Sequence, residues 1–420
     1  MSSRQQIPLL FGFDVIHGYK TLFQIPLGEA ASWDPQAAKL ADSIAAAEAR
    51  VSGIHWTFAP IMDLARDPRW GRVMEGSGED AFLGSEMAKA RVLGFRVCMP
   101  ISTRNDYSRP DKVMACAKHF AGYGAAEAGR DYASVDMSER QLREVYLPPF
   151  KAAIEAGIGS VMTAYMDLNG VPISGNQWML RKILREEWGF DGMVVSDFMS
   201  ISDSINPQFS ADDAEAAMHA LNAGIDMEMV SASYANNTAQ LIRDKKVTMD
   251  TVDAAVGHIL RAKFRLGLFD NPYTDERLAS KIVLNQNNLQ TARKLAAGTF
   301  VLLKNDKNTL PISKRVKRVA VIGSLANDKE QTMSSWNAQA SADDSVTLLE
   351  AIINRLGSAA VKYAPGCNFT CESTTCFAEA VKVAAATNME VLVLGEPKEF
   401  NGETASQVDI GLPGTLKSLV

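Results

Sequence analysis

Short apolar runs that end on polar residues recur along the first two thirds of the chain. Ile7 to Phe13 ends on Asp14, Trp56 to Ile61 runs on to Asp63, Val113 to Ala117 delivers Lys118 and His119, and Ser160 to Ala164 ends on Tyr165. Met193 to Val195, punctuated by Gly189 and Gly192, leads to Asp197, and Gly224 to Met227 carries Asp226. Runs of this kind read as strands buried on both faces. Between them Ala37 to Ser52, Leu142 to Ala156, Met179 to Glu187, Asp212 to Asn222 and Thr251 to Leu266 have helical spacing, the first behind an Asp34-Pro35 start signal. Strand, polar strand end and helix, repeated about six times, is the signature of a βα barrel. A complete barrel has eight strands, so a further strand is expected upstream of residue 1 and a short or absent one at the end.

Beyond Asn271-Pro272 the pattern changes. Leu289 to Ala297 reads as a helix and Thr299 to Leu303 as a strand. A second alternation then follows: strand Arg318 to Ile322, helix Leu348 to Leu356, strand Val361 to Tyr363, helix Phe377 to Ala386 and strand Val391 to Leu394. The expected organisation is α/β throughout: a TIM-like barrel over 1–272, a linker with a connecting helix over 273–310, and an α/β sandwich over 311–420 that stops short, so that both ends are expected to be truncated.

Composition narrows the function classes. With 420 residues, 47% hydrophobic and 22% charged, the chain can fill the cores of two soluble domains. A net charge of −6 and no basic run give no general attraction to nucleic acid or to an anionic membrane, and neither is expected as a partner. No apolar stretch reaches the roughly 18 residues of a membrane span, and Met1 to Gln6 is too short and polar for a signal peptide. Cys98 and Cys116 stand alone, whereas Cys367, Cys371 and Cys376 crowd one segment that could close a small disulfide loop. A zinc site is the rival there, disfavoured by three thiols and no His. Asn368-Phe369-Thr370 is a glycosylation acceptor sequence, relevant only to a chain secreted from a eukaryotic cell.

The candidate chemistry lies at the strand ends. Asp14, Asp63, Lys118, His119, Tyr165, Asp197 and Asp226 all fall at expected strand C-termini, where a barrel builds its site and a core has no need of polar groups. Helix capping is the alternative for Asp197, and internal ion pairs are the alternative for Lys118 and Arg72. The loop Arg66 to Asp80, with its glycines, three arginines and the acids Glu75, Glu79 and Asp80, suits a binding loop. A solvated surface loop is the plainer reading.

The segments FGFDVIHG, DPRWGRVMEGSGED, KHFAGYG and GFDGMVVSD, in this order, resemble glycoside hydrolase family three, especially its bacterial β-glucosidase branch. That resemblance spans nearly the whole chain. It implies a TIM-like barrel joined to an α/β sandwich, an active site between them, and further sequence at both ends of family members. It makes Asp197 the nucleophile and places Asp14, Arg72, Lys118, His119, Arg130 and Tyr165 around the sugar in the first subsite. Charged and amphoteric side chains suit that role because each can bridge two hydroxyls, and Tyr165 could also steady the nucleophile. The acid/base is implied on a loop of the second domain, where Glu396, Glu399 and Glu403 compete; spacing back from Leu412-Pro413, as in the family, favours Glu403.

The implied reaction is retaining hydrolysis of terminal β-glucosyl residues by double displacement, with small oligosaccharides or aryl and alkyl β-glucosides as substrates and no cofactor or metal. A periplasmic or secreted location is expected, and the oligomeric state, a homodimer included, is left open. Rival readings are a β-xylosidase, a β-N-acetylglucosaminidase, a barrel aldolase using Lys118 as a Schiff-base lysine, and an idle sugar-binding barrel. The N-acetylglucosaminidase branch uses a His and Asp dyad in the loop after the KH motif, and here AGYGAAEAGRD has no His.

Overall fold

The computed structural model describes residues 5–96, 109–206, 209–313 and 315–420; Cys98 lies outside them. Six short parallel strands make the barrel wall: β1 Gly12–Phe13, β2 Trp56–Thr57, β3 Cys116–Phe120, β4 Ser160–Thr163, then, after the small antiparallel pair β5 Asp167–Leu168 and β6 Val171–Pro172, β7 Met193–Phe198 and β8 Met227–Met229. β1 pairs with β2, single parallel bridges Trp56 to Met114 and Ile61 to Lys118 join this pair to β3, and β3, β4, β7 and β8 follow side by side. Sequential parallel order is what right-handed βα connections produce.

Helices Pro35–Val51, Ala81–Phe95, Pro148–Glu155 and Asp213–Ala223 and the π-helix Trp178–Glu187 cover this wall. Asp34, Asp80 and Asp212 cap three of them, each accepting backbone N–H bonds in the first turn. The first strand is much shorter than Ile7 to Phe13, because Leu9 and Phe11 are exposed. Asp226 is a correction. β8 begins one residue after it, so Asp226 sits at the strand's entry, taking bonds from the Val194 N–H, Arg185 and His258 at 2.8 Å each. It braces the base of the wall, away from the site.

The second sheet has order β10 Val361–Ala364, β9 Val319–Ile322, β11 Met389–Leu392, all parallel. Val319 and Val321 pack toward helix Leu348–Leu356, and Ala320 and Ile322 toward helix Phe377–Ala385, which makes a three-layer sandwich. β11 starts two residues before the run expected there. Thr299 to Leu303 forms no strand: none pairs with it among the described residues, and Phe300 to Leu303 are exposed. Cys367 and Cys371 form a disulfide, and Cys376 and Cys116 are free thiols.

Buried Glu48 ties the connecting segment to the barrel. Its carboxylate accepts from the Lys20 and Thr21 N–H groups, the Thr21 hydroxyl, the Leu284 N–H and Asn288 Nδ2, at 2.6 to 3.1 Å. A carboxylate with that many donors is satisfied although it is wholly buried.

Candidate active site

The barrel top carries a cleft of about 530 Å³ lined by Asp14, Arg72, Lys118, His119, Tyr165, Asp197 and Glu403, together with Tyr132 and Trp336 and an apolar side made of Phe58, Met162, Phe198, Met199 and Met229. Seven of the eight site residues expected from sequence therefore meet in one place. Arg130 is the exception. Its side chain is exposed on the glycine-rich loop and does not line the cleft, because the chain turns at Gly129, with φ +64°, and presents Tyr132 inward.

Asp197 is the penultimate residue of β7 and is buried. Oδ1 accepts the Phe198 N–H at 2.7 Å, while Oδ2 has no hydrogen-bond partner and lies 3.8 Å from His119 Nε2. Burial raises this carboxyl to about 6, against the pull of the Arg72 and Lys118 charges, and the Glu403 charge raises it further. A capping role is not what the geometry shows, since the one side-chain bond of Asp197 is to its own neighbour and its second oxygen is unpaired in a residue that lines the cleft.

Arg72 stands in the turn Gly71–Glu75, and the loop read as a binding loop is mostly buried here, against its surface alternative. Its Nε and Nη2 make a two-pronged pair with Glu75 at 2.9 and 3.0 Å, and Nη2 also donates to His119 Nε2 at 3.0 Å. Burial would pull the guanidinium down, but Glu75 outweighs it and keeps the group charged. Because His119 Nε2 accepts, the ring proton is on Nδ1, which donates to Asp63 Oδ2 at 2.8 Å; the His119 backbone N–H donates to the same oxygen at 2.9 Å. Burial and the Arg72 charge hold His119 well below its usual range, hence neutral. Burial pushes Asp63 up to about 7, and the His119 N–H opposes that rise.

Lys118 Nζ donates to Asp14 Oδ1 at 2.7 Å. Burial alone would lower Lys118, yet Asp14 holds it above the usual lysine range. Both ion-pair alternatives raised for Arg72 and Lys118 are thus observed; Arg72, Lys118 and Asp14 still line the cleft, while Glu75 lies behind it. Tyr165 departs from expectation: its hydroxyl donates to Asp203, and its ring packs 4.5 Å from Tyr132. Its hydroxyl partner is Asp203, in the loop that follows β7, and not Asp197.

Glu403 comes from the second domain. Its Oε1 accepts from the Tyr132 hydroxyl at 2.5 Å and lies 3.7 Å from Arg72 Nη1. The competing acids are engaged elsewhere: Glu396 accepts from Gln407 Nε2 at 2.9 Å and Glu399 from Gln331 Nε2 at 3.1 Å, and neither lines the cleft. Sequence reasoning missed Tyr132, Asp203 and Trp336. Trp336 lies 5.3 Å from Lys118 Nζ and 5.9 Å from the Arg72 guanidinium, face-on distances for cations. Its φ of +57° is one that bulky residues rarely adopt. The His17 ring, 2.8 Å from the Ser335 carbonyl, anchors this loop to the barrel. The only available signal was a lone Trp in a polar loop.

Residues 1–262 match the family model of the Glycosyl hydrolase family 3 N terminal domain, and residues 300–420 that of the Glycosyl hydrolase family 3 C-terminal domain. The chain is 38% identical over 444 residues to a periplasmic beta-glucosidase of Salmonella typhimurium, covering 100% of this chain and 57% of the relative. It is 35% identical to a beta-xylosidase of Formosa agariphila, covering 96% of this chain and 57% of that one. The crystal structure of a beta-glucosidase from Listeria innocua in complex with glucose superposes with a TM-score of 0.93 at 36% identity, covering 100% of this chain and 57% of that chain. The chain thus spans 57% of the length of these relatives.

Proposed function

The chain belongs to glycosyl hydrolase family 3, and from that premise we propose that it removes terminal β-D-glucosyl residues from the non-reducing end of small oligosaccharides or aryl and alkyl glucosides, with retention of configuration. The observation that carries this reading is the free Oδ2 of Asp197, buried in a cleft that also receives Glu403 from the other domain. In the first step Asp197 attacks the anomeric carbon and the glycosidic bond breaks, while Glu403 gives its proton to the departing oxygen. In the second, Glu403 takes a proton from water, the water oxygen attacks the same carbon, and the bond to Asp197 breaks.

The cationic wall serves the substrate. Lys118 uses one of its three N–H donors on Asp14, so the pair offers both donors and an acceptor to adjacent hydroxyls. Neutral His119, held between Asp63 and Arg72, supports the Arg72 fork whose Nη1 points toward Glu403. The charged, Asp14-paired Lys118 counts against a Schiff-base role, which needs a free amine. A periplasmic or secreted location belongs to the same proposal, supported by the Cys367–Cys371 disulfide and by the Salmonella relative's name. No helix among the described residues is long and apolar enough to cross a membrane.

A panel of nitrophenyl β-glycosides followed by proton NMR tests the reading. β-Glucose as the first-formed anomer, with the glucoside turned over faster than the xyloside, is expected. α-Glucose appearing first contradicts retention, and a preference for the xyloside assigns the site to the pentose reading that the Formosa relative represents.

A further inference from the structure

The loop that carries Glu403 is stitched to the barrel by its backbone. The Gly402 N–H donates to the Gly71 carbonyl at 2.8 Å, the Gly71 N–H to the Ala405 carbonyl at 3.0 Å, and the Gln407 N–H to the Arg69 carbonyl at 2.8 Å. Trp70 and Ser406 face each other in an antiparallel bridge. A Cβ at Gly71 would sit 2.5 Å from Ala405, so the two strips touch without room for a side chain.

Asp131 sits across this seam and bonds both sides of it. Its Oδ2 accepts the Thr404 N–H at 2.7 Å, its Oδ1 accepts Trp70 Nε1 at 2.8 Å, and its own N–H donates to Ser406 Oγ at 3.0 Å. Thr404 directly follows Glu403 and has φ +66°, a conformation a β-branched residue rarely takes without outside support. Tyr132, next to Asp131, bonds the Glu403 carboxylate itself. One dipeptide of the barrel therefore bonds both the Glu403 carboxylate and the backbone N–H of the residue that follows it. Asp131 does not line the cleft.

We infer that Asp131 is a positioning residue for the acid/base, acting through the Thr404 N–H and the Trp70 indole to aim Glu403 at the glycosidic oxygen. The inference rests on the assignment of Glu403 made above. In Asp131→Asn one of the two donors meets an amide NH₂ in place of an oxygen, so the loop loses a charge-assisted bond and Glu403 loses its aim.

The test compares kcat/KM for 2,4-dinitrophenyl β-glucoside, whose leaving group needs no proton, with kcat/KM for cellobiose, whose leaving group does, in the intact protein. Asp131→Asn is expected to lose about 10- to 100-fold on cellobiose and less than about threefold on the dinitrophenyl substrate. Ser406→Ala, which removes only the return bond, is expected to lose about threefold on cellobiose alone, and it decides the matter if Asp131→Asn does not fold. Equal loss on both substrates, or none on either, overturns the inference. Glu403→Ala run beside them separates the two levels. If it shows no dependence on leaving group, the assignment of Glu403 has failed; if it shows that dependence and the Asp131 and Ser406 variants do not, only the positioning role has failed.

Discussion

Asp197, the proposed nucleophile, should cost the fold stability, and removing its charge should return that stability at neutral pH and not near pH 4. Asp197 is buried at the end of β7, and burial raises its carboxyl from 3.8 to about 6. At about 1.4 kcal/mol per pH unit, that rise means roughly 3 kcal/mol is spent in keeping the folded state's Asp197 ionised. The sign follows from which state holds the proton more tightly. Below about pH 4 the carboxyl is protonated whether the chain is folded or not, and no penalty exists. Between about pH 4 and 6 the unfolded chain releases the proton while the folded chain keeps it, so stability falls as pH rises; above 6 both are ionised and the full penalty stands. Asp197→Asn carries no charge at any pH, and its side-chain oxygen can still accept the Phe198 N–H.

Melting of the two proteins followed across pH 4 to 8 should therefore coincide near pH 4, diverge between about 4 and 6 and stay apart above 6, the Asn form melting higher by a few degrees at about pH 7.5. Turnover of the Asn form should fall by about 10³ or more at every pH, because no group remains to attack the anomeric carbon. In the unaltered protein, kcat/KM on the dinitrophenyl glucoside should drop about tenfold per unit below pH 6, since that substrate reports the nucleophile without the acid. An Asn variant that melts no higher than its parent at pH 7.5, or that gains equally at pH 4, refutes the reasoning that Asp197 is held ionised against its surroundings.

Two further outcomes follow from the same site. Glu403→Ala with added azide should recover turnover and accumulate β-glucosyl azide, because azide attacks without needing a base; the same response in Glu396→Ala or Glu399→Ala instead would move the acid/base to that residue. Arg72→Met should destabilise the protein by about 3 to 5 kcal/mol, measured by denaturant unfolding, because Glu75 at 0% exposure is left without its partner; adding Glu75→Leu should restore most of that loss without restoring activity, and a single variant as stable as its parent would show the pair to be unimportant to the fold.

How much of this was legible in the sequence depends on distance along the chain. β7 was readable because a buried apolar run that ends on an acid is a local pattern, and the same holds for Lys118 and His119 at the end of β3. Asp226 was misplaced by the same rule: the run around it is short, and a start one residue later moves the acid from the strand's exit to its entry. Thr299 to Leu303 has strand composition, but a strand also needs a neighbour to bond, and none lies beside it among the described residues. In the second domain the alternation of Met389–Leu392 was read two residues late because Glu390, an outward position, breaks the apolar run.

Glu403 had no local signal whatever. Its segment is polar, aperiodic and rich in glycine and acids, and composition alone would leave it in solvent. What distinguishes it from Glu396 and Glu399 is non-local: a ladder between residues 69–71 and 402–407, sealed by Asp131, turns one acid of that loop over the barrel while its neighbours bond within the second domain to Gln407 and Gln331. Trp336 reaches the cleft by the same docking, through His17. In the proposed mechanism the barrel thus supplies the nucleophile and the sugar-facing charges from its own strand ends, and the second domain supplies the proton donor and the aromatic cover. That mechanism requires the seam between them to hold to within hydrogen-bond tolerance, which is why the proposal extends to the residues that bond across it, Asp131 first.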